Sequence, residues 1–201
     1  SLISTFSVAS ELKTVDEKYS YALGYKIGSN ITNKFTDINK KTFLKGMNAA
    51  IKSQKSTMTE SEMTQAMQDY HKNKKQVELK EATTFVATYK KRKGVSALSD
   101  GMYYRILKSG KGTSPKETST VEVHYRGTLI NGKEFDSSYK RGKPAQFPLN
   151  RVIKGWTIAV QKMKPGDKWE ILIPPELAYG TRGAPGGVIG PNATLLFEIE
   201  L

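Results

Sequence analysis

Two histidines, His71 and His124, and no cysteine are all that this 201-residue chain offers of the side chains most used as nucleophiles and metal ligands. Without cysteine there is no disulfide framework, thiolate metal site, cysteine nucleophile or thiol redox chemistry. Two histidines do not make a multi-histidine metal centre, and they give a histidine relay little to draw on. What the chain does carry is aromatic residues interleaved with isolated polar groups: Tyr125, Phe135 beside Asp136, Trp156, Tyr179 and Phe197. This is poor equipment for hydrolysis. Taken singly, each residue also has a plain structural explanation. Phe135, Trp156 and Phe197 fit a core, and Tyr125 continues the buried alternation of its strand. Asp136 before Ser137-Ser138 fits an Asx turn, and Tyr179-Gly180 fits a turn aromatic. His124 points to the opposite face of its strand from Val123 and Tyr125, where a structural hydrogen bond is expected of it.

Charge is the other feature with chemical meaning. Lys and Arg number 32 against 19 Asp and Glu, a formal net charge of +13, with a pI near 9.7. Such a balance invites a nucleic-acid or anionic-surface reading. The excess is spread, however, with +8 in residues 1–93 and +5 in 94–201. The one dense cluster is Lys90-Lys91-Arg92-Lys93, and no nucleic-acid-binding motif is present, so no specific nucleic-acid partner is expected. Association with anionic surfaces fits the diffuse charge better. No apolar run approaches the ~18–20 residues that span a bilayer. The apolar fraction of 37% is below the ~45–50% of ordinary globular domains, a figure that also counts Gly; part of the chain is therefore expected to be unusually exposed.

The elements that must position these residues change character near Gly94. All eight prolines follow it, and none precedes it. Proline is expelled from helix interiors and punctuates turn-rich β structure, so the first half reads as helical and the second as mostly β. Thr14-Val15-Asp16-Glu17 is a capping box that opens a first helix carrying Tyr21, Ala22, Tyr25 and Gly28 on one side. Asn39 caps a second helix with Phe43, Leu44, Met47 and Ile51 on one face. A further box, Thr59-Glu60-Ser61-Glu62, starts a helix that meets no Gly or Pro before Gly94 and is expected to run to about residue 92. Met63, Met67 and Tyr70 are expected to join the first two helices in a core, and Phe85, Val86 and Tyr89 form a second patch. Between them residues 71–81 are polar almost all round, the signature of a helix bridging two bodies through solvent. Fewer than ~70–80 residues rarely build a sufficient core alone. The helical half therefore reads as a homodimerisation segment, with a self-sufficient bundle as the other reading.

In the second half, Met102–Lys108, the alternation around Val121, Val123 and Tyr125, Trp169–Ile173 and Leu195–Ile199 read as strands. Asn131-Gly132 marks a hairpin, and Val152–Met163 contains one helix. The fold class is α+β: an antiparallel sheet wrapped on a short helix, preceded by an all-α segment. The expected division is 1–58 for dimerisation, 59–93 for the long connecting helix and 94–201 for the β-rich domain.

Five pieces of that last domain occur in an order that resembles the FKBP family of peptidyl-prolyl cis/trans isomerases. They are Val121–Gly127, Gly132–Ser138, Val152–Trp156, Met163–Gly166 and Ile173–Gly180, followed by Ala193–Phe197. Gly24–Gly28 and Phe43–Met47 are similar, more loosely, to the helical segment of the macrophage infectivity potentiator branch. The resemblance implies a cofactor-free, metal-free isomerase acting on Xaa–Pro bonds of unfolded or proline-containing polypeptides, with chaperone-like assistance and a role in virulence. It also implies inhibition by macrolides such as rapamycin, and export to the periplasm or bacterial outer surface, with the cytoplasm as the alternative. The start at Ser1 agrees with a removed leader.

The resemblance further assigns Tyr125, Phe135, Val152, Ile153, Trp156 and Phe197 to the pocket, with Trp156 as its floor. Tyr179 would offer its hydroxyl to a substrate carbonyl, as would the backbone N–H of Ile153. Asp136 would supply a carboxylate at the edge, partnered by Arg141 and Tyr125, and Ile189 would close one side. Two departures stand out: Ala145, where the family often has an aromatic residue, and a Gly-rich 180–190 loop with Ala184 where some members have His. They motivate the alternative of a non-catalytic proline-peptide binding module on the same fold.

Overall fold

The computed structural model describes residues 12–34 and 38–201; residues 1–11 and 35–37 of the expected 1–58 segment lie outside the described residues. Both capping boxes are made. Thr14 Oγ1 accepts the Glu17 N–H, and Glu17 accepts from the Lys13 and Thr14 N–H groups. Thr59 and Glu62 repeat the exchange, and Asn39 accepts the Thr42 N–H. These caps satisfy N–H groups that have no partner inside the helix. They open α1 (Val15–Lys34), α2 (Lys40–Ile51) and α3 (Glu60–Lys90). At 31 residues, α3 is about 46 Å long at about 1.5 Å per residue. It stops at Lys90, two residues before the sequence-based limit, and Gly94 turns the chain with φ +81°.

The chain forms two compact units, Ser1–Thr64 and Gln65–Leu201. In the first, no described residue of α1 or α2 is buried. Tyr21, Leu23, Tyr25, Ile27, Leu44 and Ile51 are all largely exposed, although Tyr21 and Tyr25 stack on each other one helical turn apart. Among the described residues the expected core of the first helices is thus not closed. Met67, expected in that core, is also exposed.

In the second unit the strands are β1 (Val95–Ala97), β2 (Tyr103–Lys108), β3 (Thr120–Leu129), β4 (Glu134–Ser137), β5 (Ala145–Pro148), β6 (Lys168–Ile173) and β7 (Leu195–Glu200). They form one antiparallel sheet in the order β1-β2-β6-β7-β3-β4, with β5 paired to the outer part of β3. The short β1, β4 and β5 were not resolved by alternation in the sequence. The turn between β3 and β4 contains Asn131-Gly132, whose Asn131 side chain accepts the Lys133 N–H. A single helix, α4 (Lys154–Val160), packs on the sheet. Alternate residues of β7 (Leu195, Phe197, Ile199) and of β3 (Val121, Val123, Tyr125) join Trp156, Ala159 and Val160 of α4 in the core. This is the period-two burial of a sheet with one covered face.

The last turns of α3 are fastened to the same unit. Tyr89 is fully buried, and its hydroxyl donates to the Glu170 carbonyl of β6. Arg92 lies over the Phe85 and Tyr89 rings and, with Arg105, faces the Glu170 carboxylate. The second apolar patch of the helix is therefore an anchor, while Val77 and Leu79 in the polar stretch are exposed.

Candidate active site

The inner end of β3, β4, β5, α4 and β7 each send an aromatic ring to one place. The Trp156 ring meets Tyr125, Phe147 and Phe197 edge-on, with centroids 5.2, 5.8 and 5.3 Å away and interplanar angles of 85°, 87° and 83°. Phe135 stands edge-on to Phe197 at 5.5 Å. Edge-to-face contacts of this kind match the positive ring edge to the negative face and hold the walls of an apolar well at right angles to its base. Tyr125, Trp156, Phe197 and Ile189 are buried, whereas Phe135, Val152 and Ile153 are half-buried and packed against that cluster. Gly127 makes the arrangement possible. A Cβ there would lie 2.5 Å from the Phe135 ring and 2.8 Å from Phe197, so any other residue at this position of β3 would push both rings away.

Asp136 sits at the rim of the well. Its two carboxylate oxygens are divided between two donors: the Tyr125 phenol donates to Oδ2, and Arg141 Nη1 donates to Oδ1 at 2.5 Å. Arg141 Nη2 then donates to the Tyr125 oxygen at 2.7 Å, closing a three-residue ring, while its guanidinium lies over the Tyr125 ring. Burial alone would raise the Asp136 carboxyl, but the hydrogen bonds from Tyr125 and Arg141 outweigh it and hold the group below its usual range. Burial first, and then the bond to Asp136, push the Tyr125 phenol up. Ser138, fully buried, fixes the register of this ring. Its Oγ accepts the Tyr125 N–H at 2.8 Å, and its own N–H donates to the Tyr125 carbonyl at 2.9 Å. His124 Nδ1 lies 3.0 Å from the same Oγ, and its ring stacks on Tyr139, which is a structural role.

Among the described residues, three donors of this region have no hydrogen-bond partner. The Tyr179 hydroxyl makes no hydrogen bond, and burial followed by the Asp136 charge pushes its pKa up. It therefore stays a neutral O–H donor in the field of that carboxylate. The Ile153 N–H, immediately before α4, is likewise unpaired; only the Ile153 carbonyl is used, by Trp156 and Thr157. A third N–H, Trp156 Nε1, is buried with no partner. The loop after Tyr179 is ordered by its own backbone. Ala184 N–H donates to the Ile189 carbonyl and Asn192 N–H to the Gly180 carbonyl. Gly183, at φ +72°, lies so close to Ile189 that a Cβ would meet its carbonyl oxygen at 2.5 Å. The glycines of this loop thus serve to bury Ile189 in the aromatic cluster.

All ten residues singled out in the sequence occupy this one region, either in the well, at its rim or in the loop beside it. Phe147 and Ser138 were not singled out. Phe147 lies two residues after Ala145 on β5, a strand too short to show in the sequence, and with Ala145 too small to form a wall it is the aromatic residue that β5 supplies. Ser138 had no signal in the sequence, because its importance arises from pairing across β3 and β4.

Rings at right angles with N–H and O–H donors beside them make an apolar well with a polar rim, a site of the binding and positioning class. The comparisons specify the class. Residues 111–201 match the family model described as FKBP-type peptidyl-prolyl cis-trans isomerase, and residues 16–106 match the domain amino terminal to FKBP-type peptidyl-prolyl isomerase. The chain is 43% identical to the peptidyl-prolyl cis-trans isomerase Mip of Coxiella burnetii, over 98% of this chain and 90% of that protein. It is 40% identical to the outer membrane protein MIP of Legionella longbeachae, over 96% and 87%. The crystal structure of FkpA from Escherichia coli superposes with a TM-score of 0.59 at 36% identity, covering 94% of this chain and 96% of that one. The chain belongs to the FKBP-type peptidyl-prolyl cis-trans isomerases and is an enzyme of that activity.

Proposed function

We propose that the aromatic well is the prolyl site and that Asp136, Tyr125 and Tyr179 are its catalytic residues, with Phe135, Arg141, Val152, Ile153, Trp156, Ile189 and Phe197 binding substrate. The observation that carries this reading is the placement of two unpaired donors, Tyr179 O–H and Ile153 N–H, beside a well floored by Trp156. An Xaa–Pro bond rotates slowly because amide resonance sets a barrier of ~18–20 kcal/mol. The twisted amide has lost that resonance and is the less polar form, so taking its oxygen out of water favours the twisted state. Seating the prolyl ring on Trp156 fixes one side of the bond, and the two donors hold carbonyls on the other. The rotation is then restricted to the productive path. No proton need leave any group.

The division into 1–58, 59–93 and 94–201 gives the helical part the role of a homodimerisation segment, supported by the exposed Tyr21, Leu23, Tyr25 and Ile27 of α1. Two wells in one dimer raise the effective concentration for an unfolded polypeptide carrying several prolines, which accounts for chaperone-like assistance. The same well has the shape and donors for macrolide inhibitors such as rapamycin. An envelope location, periplasm or outer surface, and a contribution to virulence agree with the outer membrane protein among the relatives, and the basic surface agrees with association with anionic surfaces.

The experiment is isomerisation of a short prolyl peptide by Asp136→Ala and Tyr179→Phe variants. About ten-fold losses in kcat/KM, one unit of about 1.4 kcal/mol each in barrier, are expected. Wild-type rates in both variants would remove the residues from the mechanism.

A further inference from the structure

Two of the stretches of chain that build the well contain no carboxylate. Between Ser137 and Gly166 there are seven Lys and Arg and not one Asp or Glu, and between Leu177 and Phe197 the only charge is Arg182. These stretches include Ala145–Phe147, Val152–Trp156, Tyr179 and Ile189. Four of the cations adjoin lining residues and are exposed: Lys143 before β5, Arg151 and Lys154 on either side of Val152-Ile153, and Arg182 between Tyr179 and Ile189. Among the described residues none of the four side chains has an ion-pair or hydrogen-bond partner. The acidic groups nearby are fewer, and Glu122 of β3, bonded to Gln146 of β5, has no cationic partner among the described residues. Asp136 is neutralised by Arg141, Glu134 is held by Arg126 and Lys140, and Glu176 lines the groove toward α3 with Leu79 and Lys90. The residues that adjoin the well therefore carry a net positive charge around an apolar centre.

We propose that Lys143, Arg151, Lys154 and Arg182 are specificity-determining residues that make this isomerase select prolyl segments flanked by acidic side chains. The inference rests on the aromatic well being the prolyl site. The prolyl ring and its neighbour carry no charge and are chosen by shape, so the well alone is indifferent to what lies two or three residues away. A Glu or Asp at that distance falls among the four cations. A cleft of one sign with low-dielectric walls concentrates oppositely charged ligands at its mouth. The effect belongs to encounter and binding and not to bond rotation, so it appears in KM, leaves kcat alone, and is screened by salt.

The test uses the full chain and three peptides with one fixed Xaa–Pro pair, in which the residues two places before and after it are all Glu, all Gln or all Lys. At about 20 mM salt the Glu peptide is expected to exceed the Gln peptide in kcat/KM by about five-fold, with the Lys peptide below both; at about 0.3 M salt the spread falls under about two-fold. A combined Lys143→Gln, Arg151→Gln, Lys154→Gln, Arg182→Gln variant should lose the ranking while turning over the Gln peptide normally. A control removing the same charge from the helical half, Lys13→Gln, Lys18→Gln, Lys26→Gln, Lys45→Gln, should keep the ranking. Equal kcat/KM for the three peptides at low salt, a ranking that survives the rim variant, or a ranking equally lost in the control overturns the proposal and leaves the prolyl site in place. Catalysis of the Gln peptide that is unaffected by Trp156→Ala overturns the site and the proposal together.

Discussion

The Tyr125 phenol and the Asp136 carboxylate, eleven residues apart on neighbouring strands, are joined by a direct hydrogen bond at the rim of the aromatic well. The β3–β4 register creates the pair. Gly127 stands opposite Asp136 and Arg126 opposite Ser137, with a bulge between Gly127 and Thr128. Tyr125 continues the buried alternation of β3, and its hydroxyl emerges at the end of the core where Asp136 begins the rim. One residue thus acts as core with its ring and as site with its oxygen.

Replacing Tyr125 by Phe keeps the ring contacts to Trp156 and Phe147 and removes only that oxygen. Asp136 retains Arg141, so the carboxylate stays paired. The oxygen takes two hydrogen bonds with it, its own to Asp136 and the one it accepts from Arg141, so the expected cost in unfolding free energy is about 2 kcal/mol, read from the urea midpoint. Activity on a short peptide should fall about three-fold through a looser Asp136, at about 1.4 kcal/mol per ten-fold. A loss as large as that of Asp136→Ala would mean that the phenol acts on substrate directly.

How much of this was legible in the sequence follows the range of the contacts involved. The helix starts were readable because a capping box lies within four residues, and all three caps are made. The long strands β3, β6 and β7 were readable from alternation, whereas β1, β4 and β5 have too few residues for a period to show. Ser138 could not be found from sequence, since nothing in Ser137-Ser138 says which hydroxyl will meet Tyr125. The core expected for Tyr21, Tyr25 and Met67 failed for the opposite reason. Spacing shows that side chains share a face but not that a single chain has anything to put against it.

The pH profile follows from the rim. The Asp136 carboxyl is held below its usual value, and the Tyr125 and Tyr179 phenols are pushed above theirs. All three therefore keep one protonation state through the neutral range, and kcat/KM should be flat from about pH 5 to about pH 9, outside the ordinary carboxylate and phenol ranges. A bell centred near neutrality would require a group other than these. For stability the sign is that of a depressed carboxyl. The Asp136 contribution is complete above the ordinary carboxylate pKa of about 3.9 and is lost as pH falls through the lower folded value.

Trp156 Nε1 gives a sharper test of the floor. In the free protein this N–H is buried and unpaired, a state that costs about 1–3 kcal/mol. Trp156→Phe removes the unsatisfied group together with part of the ring, so the two effects oppose each other. The thermal midpoint should change by only a few degrees, corresponding to about 1 kcal/mol or less, while the Michaelis constant for prolyl peptides rises because the floor recedes. Trp156→Ala offers no such compensation and should cost about 3–5 kcal/mol as a cavity. If Phe proved as damaging to stability as Ala, the indole N–H would have to be satisfied in a way the structure does not contain.

The helical half makes the last prediction. Tyr21 and Tyr25 stack on the same side of α1, and both are more than half exposed, at 54% and 67%. Leu23 and Ile27 project from the same helix at 46% and 44%. The two pairs lie on opposite sides of α1, since residues two apart do not share a helix face, and exposed apolar strips of this kind mark interaction sites. In the homodimer proposed above, a second copy of the chain covers one of these strips by supplying the same residues around a two-fold axis. Sedimentation at micromolar concentration should therefore give a mass about twice 22.4 kDa. Tyr25→Asp should shift it to the monomer, since an uncompensated carboxylate in an apolar interface is strongly disfavoured. Because the prolyl well is built entirely from residues 125–197, the monomeric variant should keep its kcat/KM on short peptides and lose much of its effect on a refolding protein with several prolines. A wild-type monomer at that concentration, or a Tyr25→Asp monomer as effective as wild type on both substrates, would remove the dimer from the mechanism.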